Sequence, residues 1–135
     1  MIYIFLFILL FALQLLYFRI ADRFNIIDKP NQRSSHSSIT LRGGGIIFFI
    51  GAISYFVISG FQYPWFFAGL TLISMISFAD DIKPQKSGIR LIVHFISMLL
   101  MFYQWNLFEQ PWYFTAVALI LCTGILNAYN FMDGI

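Results

Sequence analysis

The chain has 135 residues, of which 60% are hydrophobic, 20% aromatic and only 10% charged, with a mean hydropathy of +0.81. Soluble domains carry about 25% charged residues, so an ordinary soluble fold is excluded, and a net charge of +2 is too small to indicate a nucleic-acid partner. The single cysteine, Cys122, excludes an intrachain disulfide and says nothing of an oxidising compartment.

Five apolar stretches follow one another at about 2–18, 46–60, 65–79, 91–105 and 112–126. At about 1.5 Å per residue each reaches about 22–25 Å, short of the ~30 Å hydrocarbon core, with flanking Gly, Ser, Asn and aromatic residues able to add a turn. A soluble protein can bury one such helix, but this chain has no polar exterior to cover five. The predicted fold is all-α, a polytopic transmembrane bundle of about five helices forming one domain over 1–135.

Lys and Arg set the orientation. Arg19, Arg23, Lys29, Arg33 and Arg42 lie between the first and second stretches, and Lys83, Lys86 and Arg90 between the third and fourth. These are all eight basic residues of the chain. By the positive-inside rule the connections 19–45 and 80–90 are cytoplasmic, the N-terminus is outside, and 127–135 falls on the cytoplasmic side.

The first stretch has no basic residue before it and Arg19 and Arg23 after it, the reverse of a secretory signal, so it reads as a retained anchor. The polar segment that follows contains Asp28-Lys29-Pro30-Asn31, which has turn chemistry, then serines around His36, then Arg42-Gly43-Gly44-Gly45 leading into the second helix. Glycines at a helix N-terminus let backbone N–H groups approach an anion, helped by the positive helix end. Lys29, Arg33 and Arg42 make this a candidate phosphate-facing loop; spacing alone equally allows a juxtamembrane loop on anionic lipid. His36 taken alone reads as a solvated loop histidine.

The third stretch ends at Asp80-Asp81. A helix C-terminus disfavours carboxylates, so the pair calls for a cation, either Lys83 and Lys86 or a bound metal. His94 reads as a hydrogen-bonded histidine facing the bundle, and Glu109, before Pro111, as a solvated acid. Past the fifth stretch, Asn127, Asn130 and Asp133 recur every three residues, which puts them on one face of any helical continuation.

Taken together, 28–36 with Arg42-Gly43-Gly44-Gly45, then Asp80-Asp81, then Asn127-Ala128-Tyr129-Asn130-Phe131-Met132-Asp133-Gly134 resemble the polyprenyl-phosphate N-acetylhexosamine-1-phosphate transferases. That superfamily includes the enzymes that start O-antigen, enterobacterial common antigen and teichoic acid synthesis, and the muramoyl-pentapeptide translocase. The Arg-Gly-Gly-Gly and Asn-Phe-Met-Asp-Gly forms are closer to the O-antigen and common-antigen initiators. Two departures stand out. Ile39-Thr40-Leu41-Arg42 replaces the family's Pro-Thr-Pro-Arg, and this sequence ends at Ile135 where members continue with further helices, another acid and a basic sugar-nucleotide motif.

The resemblance implies a bacterial inner-membrane enzyme with its site on the cytoplasmic face. Polyprenyl phosphate would attack the β-phosphorus of a UDP-sugar, giving a lipid-linked sugar diphosphate and UMP. It implies Mg²⁺, or Mn²⁺, on Asp133. Asp80 and Asp81 would stand in the catalytic site, near the metal or orienting the lipid phosphate. Asn127 and Asn130 would orient nucleotide or metal-bound water, and Arg42, His36, Lys29, Arg33, Gly43 and Gly44 would contact phosphate. Membrane lipids are partners, and a homodimer is compatible with the resemblance. The portion 1–135 by itself is expected to be inactive. A truncated inactive relative, or a small transporter or lipid-binding protein, are the alternatives; the transporter reading expects ionisable residues at mid-helix.

Overall fold

The computed structural model describes residues 1–28 and 39–132, with Asp28, Asn130 and Phe131 described by backbone alone. Five helices follow one another: α1 (Ile2–Arg23), α2 (Ile46–Ile58), α3 (Pro64–Ile82), α4 (Ser87–Gln104) and α5 (Trp112–Met132). A 3-10 turn at Leu107–Glu109 joins the last two. Two short strands, β1 (Ile27–Asp28) and β2 (Thr40–Leu41), pair antiparallel with Ile27 opposite Leu41 and Asp28 opposite Thr40.

Each helix packs mainly on its neighbours in the chain, α1 on α2, α2 on α3, α3 on α4 and α4 on α5. The α3–α4 contact is the most extensive, and Gly69 is one reason. A Cβ there would stand 2.9 Å from the Ser97 backbone oxygen, so only glycine allows the two helix backbones this close. Phe67 on α3 and Met98 and Phe102 on α4 are buried around that crossing. At the end of the bundle away from the basic residues, the α3 and α4 termini interlock. The Trp65 backbone N–H donates to Gln104 Oε1 at 3.0 Å, and Tyr63 stacks on Trp105 with ring centroids 6.1 Å apart. Trp65, Phe66 and Tyr103 complete an aromatic cluster of the kind that sits at a membrane interface.

Four helices, α1, α3, α4 and α5, are long and apolar enough to cross a membrane. Phenylalanines, leucines and isoleucines cover their outer faces while few residues are buried within. An apolar exterior of that size is stable only against lipid. The fifth expected span, 46–60, is shorter in the structure. α2 has 13 residues, about 20 Å, because Gly60 at φ +74 closes a Schellman motif after it. Gly60 N–H bonds the Val57 carbonyl, Phe61 N–H bonds the Phe56 carbonyl, and the Phe56 and Phe61 rings meet at 5.2 Å.

The other helices extend past their apolar runs. α1 continues from Phe18 to Arg23 and ends on the same motif, with Asn25 at φ 54 in the left-handed position and Ile26 N–H bonded to the Ala21 carbonyl. α3 runs on through Asp80 and Asp81, which therefore lie in its last turn and not in the loop beyond it. α4 starts at Ser87 rather than about 91, and α5 runs to Met132, so the helical continuation through Asn127 and Asn130 is present.

Candidate functional site

The basic residues that the structure describes gather at one end of the bundle, where α1 and α3 end and α2 and α4 begin. The polar segment between α1 and α2 returns to this end because the β1–β2 pair closes it. Arg42 N–H also donates to the Ile26 carbonyl at 3.0 Å, tying the segment's exit to the α1 cap. This delivers Arg42 and Gly43 to the side of α1.

There they meet Tyr17, whose hydroxyl donates to the Arg42 carbonyl at 2.5 Å. Gly43 is buried at φ +75, and a Cβ on it would overlap the Tyr17 hydroxyl and stand 3.0 Å from Phe78 Cε2. The Tyr17 and Phe78 rings are tilted against each other with centroids 6.3 Å apart. Phe78 lies on α3, one turn before Asp81, and the Asp81 carboxylate is within electrostatic reach of the Tyr17 hydroxyl. The Arg-Gly turn thus packs, through Tyr17 and Phe78, on the end of α3 that carries the acid pair, 38 positions on in sequence from Gly43 to Asp81. Gly44 lies beside Gln14 of α1, where a Cβ would stand 3.4 Å from Nε2, and the carbonyls of Gly43, Gly44 and Gly45 accept the first hydrogen bonds of α2.

Asp80 faces the other way, toward the α3–α4 turn. Its Oδ1 accepts the Gln85 backbone N–H at 2.6 Å and its Oδ2 accepts Arg90 Nη1 at 2.9 Å. Arg90 and Asp80 side chains are about a quarter exposed. The cation that Asp80 meets is therefore Arg90 of α4, while the expected partners Lys83 and Lys86 are both exposed. Gln85 completes the turn by donating Nε2 to the Lys83 carbonyl at 2.7 Å. Both carboxylate oxygens of Asp80 are thus engaged in holding the α3–α4 hairpin.

His94, one turn beyond Arg90, is 3% exposed and faces the bundle as expected, but the hydrogen bond expected of it is missing at Nδ1, which has no partner among the described residues. Asn127 is exposed on α5, whose packing partner is α4. Lys29, Arg33, His36 and Asp133 lie outside the described residues, as does the side chain of Asn130. Glu109 is exposed in the 3-10 turn at the opposite end. Among the described residues no three His, Cys, Asp or Glu side chains cluster as a metal cage.

Comparison with known proteins follows the same residues. The family model described as glycosyl transferase family 4 matches 63–135, which includes the acid pair and all of α3, α4 and α5. The chain is 24% identical over 134 residues to a probable undecaprenyl-phosphate N-acetylglucosaminyl 1-phosphate transferase of Bacillus subtilis (strain 168), covering 87% of the chain and 37% of that protein. It is 28% identical over 152 residues to an undecaprenyl-phosphate alpha-N-acetylglucosaminyl 1-phosphate transferase of Yersinia pestis, covering 100% of the chain and 41% of that protein. The chain thus spans about two-fifths of the length of these relatives. No solved structure matches it.

Proposed function

The chain belongs to glycosyl transferase family 4, and from that membership we propose that the protein carrying this sequence transfers N-acetylhexosamine-1-phosphate from a UDP-sugar to undecaprenyl phosphate, releasing UMP. The product would initiate a lipid-linked surface polysaccharide or other envelope glycan. The observation that carries the reading is the junction of Arg42-Gly43 with the end of α3 through Tyr17 and Phe78, at the basic end of a membrane bundle. The names of the two relatives support the acceptor and the transferred group. The positive-inside rule supports a cytoplasmic site in a bacterial inner membrane.

The chemistry brings two anions together at a membrane surface. Polyprenyl phosphate, with a second pKa near ~6, is largely dianionic at neutral pH, so neutralising charge matters more than removing a proton. Phosphoryl transfer depends chiefly on positioning and electrostatics. In this reading Arg42 and the glycine N–H groups at the start of α2 receive phosphate oxygens, and Lys29, Arg33 and His36 add donors to the same loop. Asp80, clamped by Arg90 and Gln85, keeps the end of α3 in place and sets where Asp81 stands. Asn127 and Asn130 hold the nucleotide side.

Mg²⁺, with Mn²⁺ as a substitute, is the cofactor of this reading. The donors fit it, since Mg²⁺ takes one or two carboxylates together with substrate phosphate oxygens. Asp81, placed in the last turn of α3 beside the Arg-Gly turn, and Asp133 would supply them. When bound, the ion offsets diphosphate charge.

The test is reconstitution of the full-length protein that carries this sequence in nanodiscs with undecaprenyl phosphate and a panel of UDP-HexNAc substrates radiolabelled in the sugar. One UDP-HexNAc should deliver label to the organic phase with equimolar UMP, and EDTA should abolish the transfer until Mg²⁺ is restored. Absence of organic-phase label with every sugar, or transfer indifferent to EDTA, would contradict the proposal.

A further inference from the structure

Tyr17 belongs to a helix that otherwise turns aromatic and aliphatic side chains to lipid, yet its hydroxyl points into the basic end of the bundle. Four observations meet on that one oxygen. It donates to the Arg42 carbonyl. It occupies the space a Cβ on Gly43 would need. The ring that carries it leans on Phe78. The Asp81 carboxylate is within its electrostatic reach. Gly43 is left-handed at φ +75, a conformation that glycine reaches without strain and leaves as easily, so the turn is not locked by the residue itself. The Tyr17 hydrogen bond to the preceding carbonyl is a side-chain tether on that turn.

We propose that Tyr17 is a positioning residue, whose hydroxyl fixes the Arg42-Gly43 turn against Phe78 and so against the end of α3 that carries Asp81. The inference rests on the reading of this junction as the transfer site. Tyr17 touches no reacting atom in it. It acts through the Arg42 backbone, so that a phosphate held by the Arg-Gly turn stands in register with whatever Asp81 holds.

The experiment, in the full-length protein that carries this sequence, compares Tyr17→Phe, which keeps the ring against Phe78 and removes only the hydroxyl, with the parent in nanodiscs by two readouts. The first is backbone hydrogen exchange by mass spectrometry, which needs no activity. Exchange should rise in the peptide covering 40–46 and stay at the parent level in peptides from α1 and α3. The second is steady-state transfer. Loss of one such hydrogen bond should lower kcat by up to about tenfold, with KM for the UDP-sugar within about twofold because the ground-state contacts of the nucleotide side are untouched.

A third arm uses Gly43→Ala. Its Cβ collides with the Tyr17 hydroxyl, so Tyr17→Phe should partly restore the exchange protection and transfer that Gly43→Ala loses. Unchanged exchange over 40–46 in Tyr17→Phe, or loosened exchange with unchanged kcat, or strictly additive effects of the two substitutions, would each overturn the positioning role. Should the parent transfer no sugar phosphate at all, the transfer reading fails by itself. The exchange data and the Gly43 cycle then decide whether the hydroxyl holds the turn.

Discussion

Asp80 and Asp81 are neighbours in sequence and do different work because a helix turns about 100° between them. Asp80 is spent on Arg90 and the Gln85 N–H; Asp81 stands at the next position of the same last turn, one turn past Phe78, whose ring meets Tyr17. Two predictions separate them. Asp81→Asn should lower transfer by about 100-fold or more, as misplaced charge at a phosphoryl site does. Asp80→Asn and Arg90→Met should each cost about 1–2 kcal/mol of stability, because the pair is partly buried and charge-assisted, seen as a lower midpoint in detergent. Asp80→Asn should also reduce transfer. Equal loss of transfer in Asp80→Asn and Asp81→Asn would remove the distinction. The acids were legible in the sequence because charge is scarce, but their partners were not. Arg90 is ten positions from Asp80, a separation no helical periodicity marks, while Lys83 and Lys86 lie closer along the chain. Tyr17 was invisible for a different reason. An aromatic in an apolar run reads as lipid-facing until the turn that meets it is placed.

At the scale of elements, hydropathy located every helix and misjudged most of the ends. Apolar runs report where side chains meet lipid, whereas a helix stops where its last carbonyls find other donors. Thus α1 passes Phe18 to reach the Asn25 cap, α3 passes Ala79 into its acid pair, and α2 is cut short by Gly60. The short β1–β2 pair gave no sequence signal, since two residues per strand are too few for alternation to register. The contact that sets the α3–α4 crossing rests on Gly69. Gly69→Ala should destabilise the bundle by about 1–3 kcal/mol, because its Cβ would meet the Ser97 backbone oxygen and no side chain can give way. Gly124→Ala, with nothing within 4 Å of its Cβ, should be neutral or stabilise by up to about 1 kcal/mol through helix propensity. Thermal unfolding of the two variants side by side checks the contrast, and equal losses would show that close approach at Gly69 is not what sets the crossing.

At the scale of the molecule, the helices form a consecutive series in which each packs on the next. This order could not be read from hydropathy, which does not specify which apolar faces touch. The gathering of charge at one end was legible, because Lys and Arg alone mark the connections. It predicts that a cysteine placed at Lys86 is labelled from the cytoplasmic side of sealed vesicles and one at Gln62 from the opposite side; labelling from the same side would refute the orientation. The central claim is that this basic end, with the Arg-Gly turn joined to the acid pair, serves transfer of a sugar together with its phosphate. The most direct measurement follows the phosphorus. With UDP-HexNAc labelled by ³²P at the β-position and undecaprenyl phosphate as acceptor, the label should pass with the sugar into the organic phase and leave unlabelled UMP. Label retained in the aqueous phase as UDP while sugar reaches the lipid, or no transfer of either, would contradict it.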